Sequence, residues 1–312
     1  MLHKDIRKLL LGGTAALSLA GFALPVLADD GAIRIAVAVP FADTLNDIIG
    51  SWHDWVSTHD GLNYTATAYT NANSVLFNQI ISSSTSFYDL FFAVDTATPN
   101  NLFYNYTTYV STPPFNYAID GLALSSRSIN VSASGLPYPL TGHLFIENPA
   151  VNPYGLAAYT LLNDTPWSAG FTTVAGPFAP NGANATQNDV YTFLTLSQEF
   201  TLQPKSRICR ASSTAPYTAA WETTLIPRYV YEYYAEGGGS SDPNVPATVP
   251  TSDANGSHPF PNIVQAAIQI NGTGSSAALQ SFLNYLKGRT TYPNKPARDI
   301  IKSYCYRWAI GQ

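Results

Sequence analysis

AIRIAVAVPFADTLNDIIGSWHDWV, residues 32–56, decides the fold class. Its opening AIRIAVAV (32–39) is a largely apolar run of β-formers that Pro40 closes, the signature of a buried strand. Asp43 can then cap a helix in which Leu45, Ile48, Ile49, Trp52 and Val56 recur at helical spacing. Working outward, LNYTATAYT (62–70) alternates like a second strand. NSVLFNQIISS (73–83) reads as a second helix and FYDLFFAVD (87–95) as a third apolar strand. The unit is β-α-β-α-β, one half of a doubly wound sheet.

The middle of the chain repeats this logic. IDGLALSS (119–126) and GHLFIENP (142–149) read as strands, Pro153-Tyr154-Gly155 opens a helix over LAAYTLLND, and DVYTFLTLS (189–197) looks like another buried strand. Residues 228–261 differ from their surroundings. A Tyr-rich start gives way to Gly, Ser, Pro and Asn without an apolar period, which predicts a loop insertion. A strand over NIVQAAIQI (262–270) and helices over SAALQSFLNYLKG (276–288) and ARDIIKSYCYRW (297–308) follow.

Lys4, Arg7 and Lys8 precede an apolar run ending in Val26-Leu27-Ala28, which reads as a cleaved export signal over residues 1–28. Asp5 leaves that leader at a net +2, so the rest of the chain carries −7 of the total −5. Such a surface has no basic field for phosphates, which argues against nucleic acid as a partner. Charged residues are only 11% of the chain, where about 25% is ordinary. Neutral polar side chains solvate it instead, and that suits an acidic compartment or reflects a compositional bias. Cys209 and Cys305 are expected to pair in an oxidising compartment, closing a long loop worth about 2–4 kcal/mol.

No nucleophile elbow, Walker loop, zinc-protease helix or paired His/Cys ligand spacing occurs, so no catalytic or metal residue and no cofactor is assigned. The 20 Tyr and five Trp leave two alternatives open. One is a secreted glycan-active enzyme, for which Glu147 and Glu222 would be the paired carboxylates. The other is an adhesion or scaffold module that presents the Tyr-rich stretch.

The order of segments resembles the periplasmic molybdate-binding protein family of ABC importers over nearly all of the chain after residue 28. AVPFADTLNDI stands where that family has an alanine-serine-leucine turn, and NANSVLFNQI where it has a serine-rich turn and a helix ending in Gln-Ile. YDLFFAVD is similar to its Ala-Asp…Ser-Ala-Asp strand, and ENPAVNPYGLAAYTLL to an Asp-Pro…Pro-x-Gly stretch that begins a helix. NDVYTFLTLSQ, LQSFLNYLKG and IIKSYCY resemble its later strand and closing segments.

The resemblance implies an α/β, two-lobed periplasmic-binding-protein-like fold, each lobe a doubly wound sheet flanked by helices. Lobe 1 would take residues 29–116 and 262–312, and lobe 2 residues 117–227. It further implies a non-enzymatic, monomeric protein of the periplasm that captures a small ligand for the permease of an ABC transporter. The family's site positions fall at Pro40, near Asn73 with Ser74 beside it, at Tyr154, and near Thr195 or Leu196. Pro40 has neither hydroxyl nor N–H, and Tyr154 adds bulk. The expectation is therefore a ligand larger than molybdate or tungstate, with a sugar-like, aromatic or organic-anion part. Phe41, Asn73, Ser74, Asn152 and Tyr154 are the expected contacts, on βα turns whose helix starts favour anions.

Overall fold

The computed structural model describes residues 31–82, 86–126, 129–138, 144–150, 152–163, 200–211, 219–221, 229–233, 252–258, 260, 262–288 and 296–311. The export signal expected over 1–28 and the strand expected over 189–197 lie outside them.

The first half follows the periodicity. Strand β1 (Ala32–Ala38) leads through a 3-10 turn, Val39–Phe41, into helix α1 (Ala42–Trp55). Then come β2 (Thr65–Asn71), α2 (Asn73–Ser82), β3 (Leu90–Ala93), α3 (Ala97–Asn105) and β4 (Phe115–Asp120). β1 pairs in parallel with β2 on one side and β3 on the other. The returning C-terminal part supplies β13 (Ile263–Gln269), which runs antiparallel between β3 and β4, and β14 (Arg307–Trp308) at the far edge. The sheet order is β14-β4-β13-β3-β1-β2.

Both faces of this sheet are covered. Ile33, Ile35 and Val37 point to one face, where they meet Leu45, Ile48 and Trp52 of α1. That face is completed by α6 (Ser276–Leu286) and α7 (Ala297–Ser303), through Phe282, Leu286 and Ile301. Ala36, Phe91 and Ile268 point the other way, toward Leu76 and Ile80 of α2 and Leu102 of α3. Fixing one register therefore places both sets at once.

The second sheet is β10-β5-β7-β6. It contains β5 (Leu122–Ser126), β6 (Leu144–Phe145), β7 (Phe200–Pro204) and β10 (Tyr229–Tyr233). Helix α4 (Pro153–Leu162) covers it, burying Tyr154, Ala157, Ala158, Leu161 and Leu162 against Leu124, Leu144, Phe200 and Leu202. A short helix, α5 (Lys205–Ile208), follows β7, and β8 (Cys209–Ala211) pairs with β9 (Ala219–Trp221). No helix among the described residues is long and apolar enough to cross a membrane.

Two expectations need correction. IDGLALSS is not one strand, because β4 ends at Asp120 in the first sheet and β5 begins at Leu122 in the second. The chain changes sheets at Gly121, inside the stretch that had been expected to open lobe 2 at 117. The second concerns 228–261, expected as a loop. Tyr229–Tyr233 is strand β10, paired antiparallel with β5. Its alternation sets Tyr229 and Tyr231 on the second core, and Val230 against Ala123 and Ile208. Glu232 forms an ion pair with the buried Lys205. Farther along, β11 (Ser252–Asp253) and β12 (Gly256–Ser257) form a hairpin, with His258 and Phe260 buried behind it.

Cys209 and Cys305 are bonded, with Cα atoms 5.8 Å apart and a sequence separation of 96. The bridge ties the segment that leaves the second sheet to the end of α7 on the first. Cys305 sits just past α7 with φ 63°, a left-handed position that usually takes glycine. Its N–H donates to the Lys302 carbonyl at 2.9 Å. Cys305→Ser should lower the unfolding free energy by about 2–4 kcal/mol. Cys305→Gly loses the same bridge but relieves the left-handed backbone, so it should fall by about 1 kcal/mol less. Urea titrations of the two variants would measure the difference.

Candidate functional site

β1 and β3 are parallel, so their C-terminal ends lie at one edge of the first sheet. Helices α1 and α3 start just beyond that edge, and α2 starts beyond the parallel β2. The chain enters the second sheet from the same side, at Asp120–Gly121. Ala38 and Val94, at the ends of β1 and β3, pack into the core of the second lobe beside Leu122, Tyr154 and Ile263. A seam between the lobes therefore runs along the strand ends, where ligands of open α/β sheets bind.

A buried polar network holds this seam together. The Asp120 carboxylate, on a residue only 4% exposed, accepts from the Gly121 N–H at 2.8 Å, the Tyr154 hydroxyl at 2.7 Å and the Ser206 hydroxyl at 2.6 Å. Gln265 of β13 donates to the Tyr154 hydroxyl at 2.5 Å, and the Tyr117 hydroxyl reaches Gln265 Oε1 at 2.7 Å. Tyr306 donates to the Pro40 carbonyl at 2.9 Å. Burial pushes Asp120 up to about 6, against the Ser206, Tyr154 and Gly121 hydrogen bonds and the Lys205 charge, which pull it down. Burial also raises the hydroxyls of Tyr117, Tyr154 and Tyr306 well above their usual range.

The expected contact residues divide. Asn73 heads α2, and its amide nitrogen donates to Asp95 Oδ2 and Thr98 Oγ1, each at 2.8 Å. Asp95 in turn accepts the Thr98 N–H, in the first turn of α3, at 2.6 Å. Ser74 is exposed beside it. Asn152 caps α4, accepting the Tyr154 N–H at 2.8 Å.

Phe41 and Tyr154 are placed differently from the expectation. Phe41 is fully buried, with its ring 5.4 Å from Phe92 and 4.4 Å from Tyr117, because the 3-10 turn rolls it into the core. Tyr154, expected at an open cleft, is 1% exposed; the pull of Asp120 and Gln265 on its hydroxyl draws the ring inward. The Thr195 and Leu196 positions and Glu222 lie outside the described residues.

Two groups matter more than the sequence indicated. Glu147 follows β6 and is 1% exposed. Burial raises it to about 8, while the Arg207 charge and a hydrogen bond from the Asn152 side chain pull it down. Its backbone lies against the first turn of α4, so close that a Cβ on Gly155 would stand 2.4 Å from the Glu147 carbonyl oxygen. On the other lobe Thr44, in the first turn of α1, is fully buried, and among the described residues its hydroxyl has no hydrogen-bond partner. The one available signal was polarity out of place: Glu147 follows HLFI, Asp120 sits amid IDGLAL and Gln265 amid NIVQAAI.

Asp120 and Glu147 both bind protons more tightly folded than unfolded, so together they should make stability rise as pH falls. Asp120 contributes this slope between about 6 and its ordinary value near 4, and the effect ends below that. Glu147 contributes between about 8 and its ordinary range. Asp120→Asn should reduce the slope between about pH 4 and 6 to what Glu147 alone gives and leave the part above pH 6 intact, as urea unfolding at a series of pH values would test.

No protein-family model matches the chain, and no curated protein matches it in sequence. Solved structures do match. The Azotobacter vinelandii periplasmic molybdate-binding protein superposes with a TM-score of 0.60 at 18% identity, over 88% of this chain and 98% of that one. The substrate binding domain of a candidate molybdenum ABC transporter from Clostridium difficile gives 0.53 at 13% identity, over 89% and 98%. The PBP AgtB from A. tumefaciens R10 in complex with agropinic acid gives 0.50 at 11% identity, over 89% and 83%. At these identities the likeness speaks for the fold, and this chain has the two-lobed α/β fold of the periplasmic molybdate-binding protein.

Proposed function

We propose that the protein is an extracytoplasmic solute-binding protein that takes up a small ligand between its lobes for an ABC-type importer. The observation that carries this reading is the seam. Helix starts from both lobes meet along the strand ends, and the backbone crosses between the sheets at Asp120–Gly121 beside it. Such a crossing can act as a hinge, and a ligand that bonds both lobes favours the closed form by its differential affinity. The fold shared with periplasmic binding proteins supports the same reading, as does the leader over residues 1–28.

In this reading the lobes are 31–120 with 262–311, and 121–260. Asn73 and Ser74 contact the ligand from the first lobe and Asn152 from the second. Phe41 and Tyr154 back the site from the core rather than line it. Docking to a permease and a monomeric state belong to the same proposal.

Native mass spectrometry of protein purified from its own source without refolding should find one small solute retained per chain. Adding that solute at 100 times its dissociation constant should stabilise the fold by about 2.7 kcal/mol. Absence of any retained solute, with no contraction of the particle in solution scattering on exposure to a solute library, would overturn the reading.

A further inference from the structure

The lobes are joined by two backbone crossings and by one covalent bond between side chains. The chain leaves the first sheet at Asp120–Gly121 and returns between Phe260, in the second core, and Ile263, at the start of β13. Asp120 and Ile263 are paired neighbours in the first sheet, so the two crossings are adjacent. The covalent link is the bond between Cys209, in β8, and Cys305, just past α7, both of them buried.

Both ends of that bridge are anchored. Ile208, next to Cys209, packs on Ala123 and Val230 of the second sheet. Ile301 and Tyr306, on either side of Cys305, belong to the core of the first lobe. The bridge also stays close to the crossings. Arg307 pairs with Ile119, and the Ser206 hydroxyl donates to Asp120 at 2.6 Å. Weaker contacts run the same way. The Arg210 guanidinium lies 4.3 Å from the centre of the Tyr304 ring and donates to the Ser206 and Cys209 carbonyls. The Tyr304 hydroxyl donates to Asp47 of α1 at 2.7 Å. α5 packs on the Val39–Phe41 turn, and β8 packs on α7.

Two adjacent backbone crossings leave the lobes free to rotate about the line through them, and that rotation opens the seam. A disulfide holds its Cα atoms within about 4.4–6.8 Å, and these stand 5.8 Å apart. It therefore opposes any rotation that would draw Cys209 away from Cys305. We infer that the Cys209–Cys305 bridge is a strap across the seam that limits how far the lobes open without ligand; this rests on the solute-binding reading above, in which the crossings serve as the hinge. A bridge that acted on the unfolded chain alone would lower stability when removed and leave the folded particle as it was. A strap changes the folded particle as well.

The test uses the full chain, dialysed free of small molecules, as wild type and as two double variants, Cys209→Ser with Cys305→Ser and Cys209→Ala with Cys305→Gly. The second pair suits the left-handed backbone at 305 and guards against misfolding of the first. Small-angle scattering should give the folded variants a radius of gyration larger by about 1 Å, against ~19 Å expected for a chain of this size. The Gly121 amide at the crossing should exchange its hydrogen about tenfold faster, while the Ile35 and Phe91 amides inside the first sheet stay unchanged. An unchanged radius in a variant that merely melts earlier would overturn the inference, and so would failure of both variants to fold. Retention of a native solute by the wild type with no widening of the variants removes the strap alone; no widening and no retained solute removes the solute-binding reading with it.

Discussion

The Asp120 carboxylate is the point where the two halves of the molecule are joined by chemistry as well as by backbone. It closes β4, and within one residue the chain belongs to the other sheet. Three donors converge on it from Gly121, α4 and α5, and through Tyr154 the contact extends to Gln265 of β13. Hydrogen bonds to a charged acceptor are worth more than neutral ones, about 1.5–3 kcal/mol each, and removing one partner of a buried charge costs still more. The rest of the seam depends on this group. Tyr154 is held inward by it, α4 is placed by Tyr154, and the approach of Gly155 to the Glu147 backbone follows from where α4 lies.

What could be read from the sequence was whatever a single period determines. β1, α1, α2, α4, α6 and β13 announce themselves because each has one face or both in a core, and burial sets a period of 2 or 3.6. IDGLALSS defeated this reading, since its two halves are apolar for different reasons, one in each sheet. Strand β10 was missed because its alternation places Tyr229 and Tyr231 inward, where a more apolar residue is the usual occupant. The site was less legible still. Asn73 and Asn152 were identifiable as helix-start residues, because capping is local chemistry. Tyr154 was not, because the group that buries it lies 34 positions away in sequence and in another element. Glu147 could be noticed as an acid after an apolar run, yet the burial that raises it exists only in three dimensions.

The scarcity of charge takes a specific form in the fold. Asp89, 2% exposed, accepts the N–H groups of Arg34 and Gly274, each at 2.7 Å. Gly272 and Gly274 pass so close to that carboxylate that neither has room for a side chain. Asp89 and Asp120 are used as internal acceptors that fasten loops to strands, while Asp43, Asp47, Asp54 and Asp60 face water. A surface of this kind loses little as carboxylates are neutralised, so the compositional expectation of acid tolerance and the upward shifts of Asp120 and Glu147 point in one direction.

β13 enters the middle of the first sheet from the far end of the chain, between β3 and β4. Until it arrives, both neighbours present bare edges, and Phe91 and Phe92 beside them lack much of their cover. Neither half of the polypeptide holds a finished lobe. A truncated product lacking the last segment would thus not survive as a smaller soluble binder; its open strands would seek one another and aggregate.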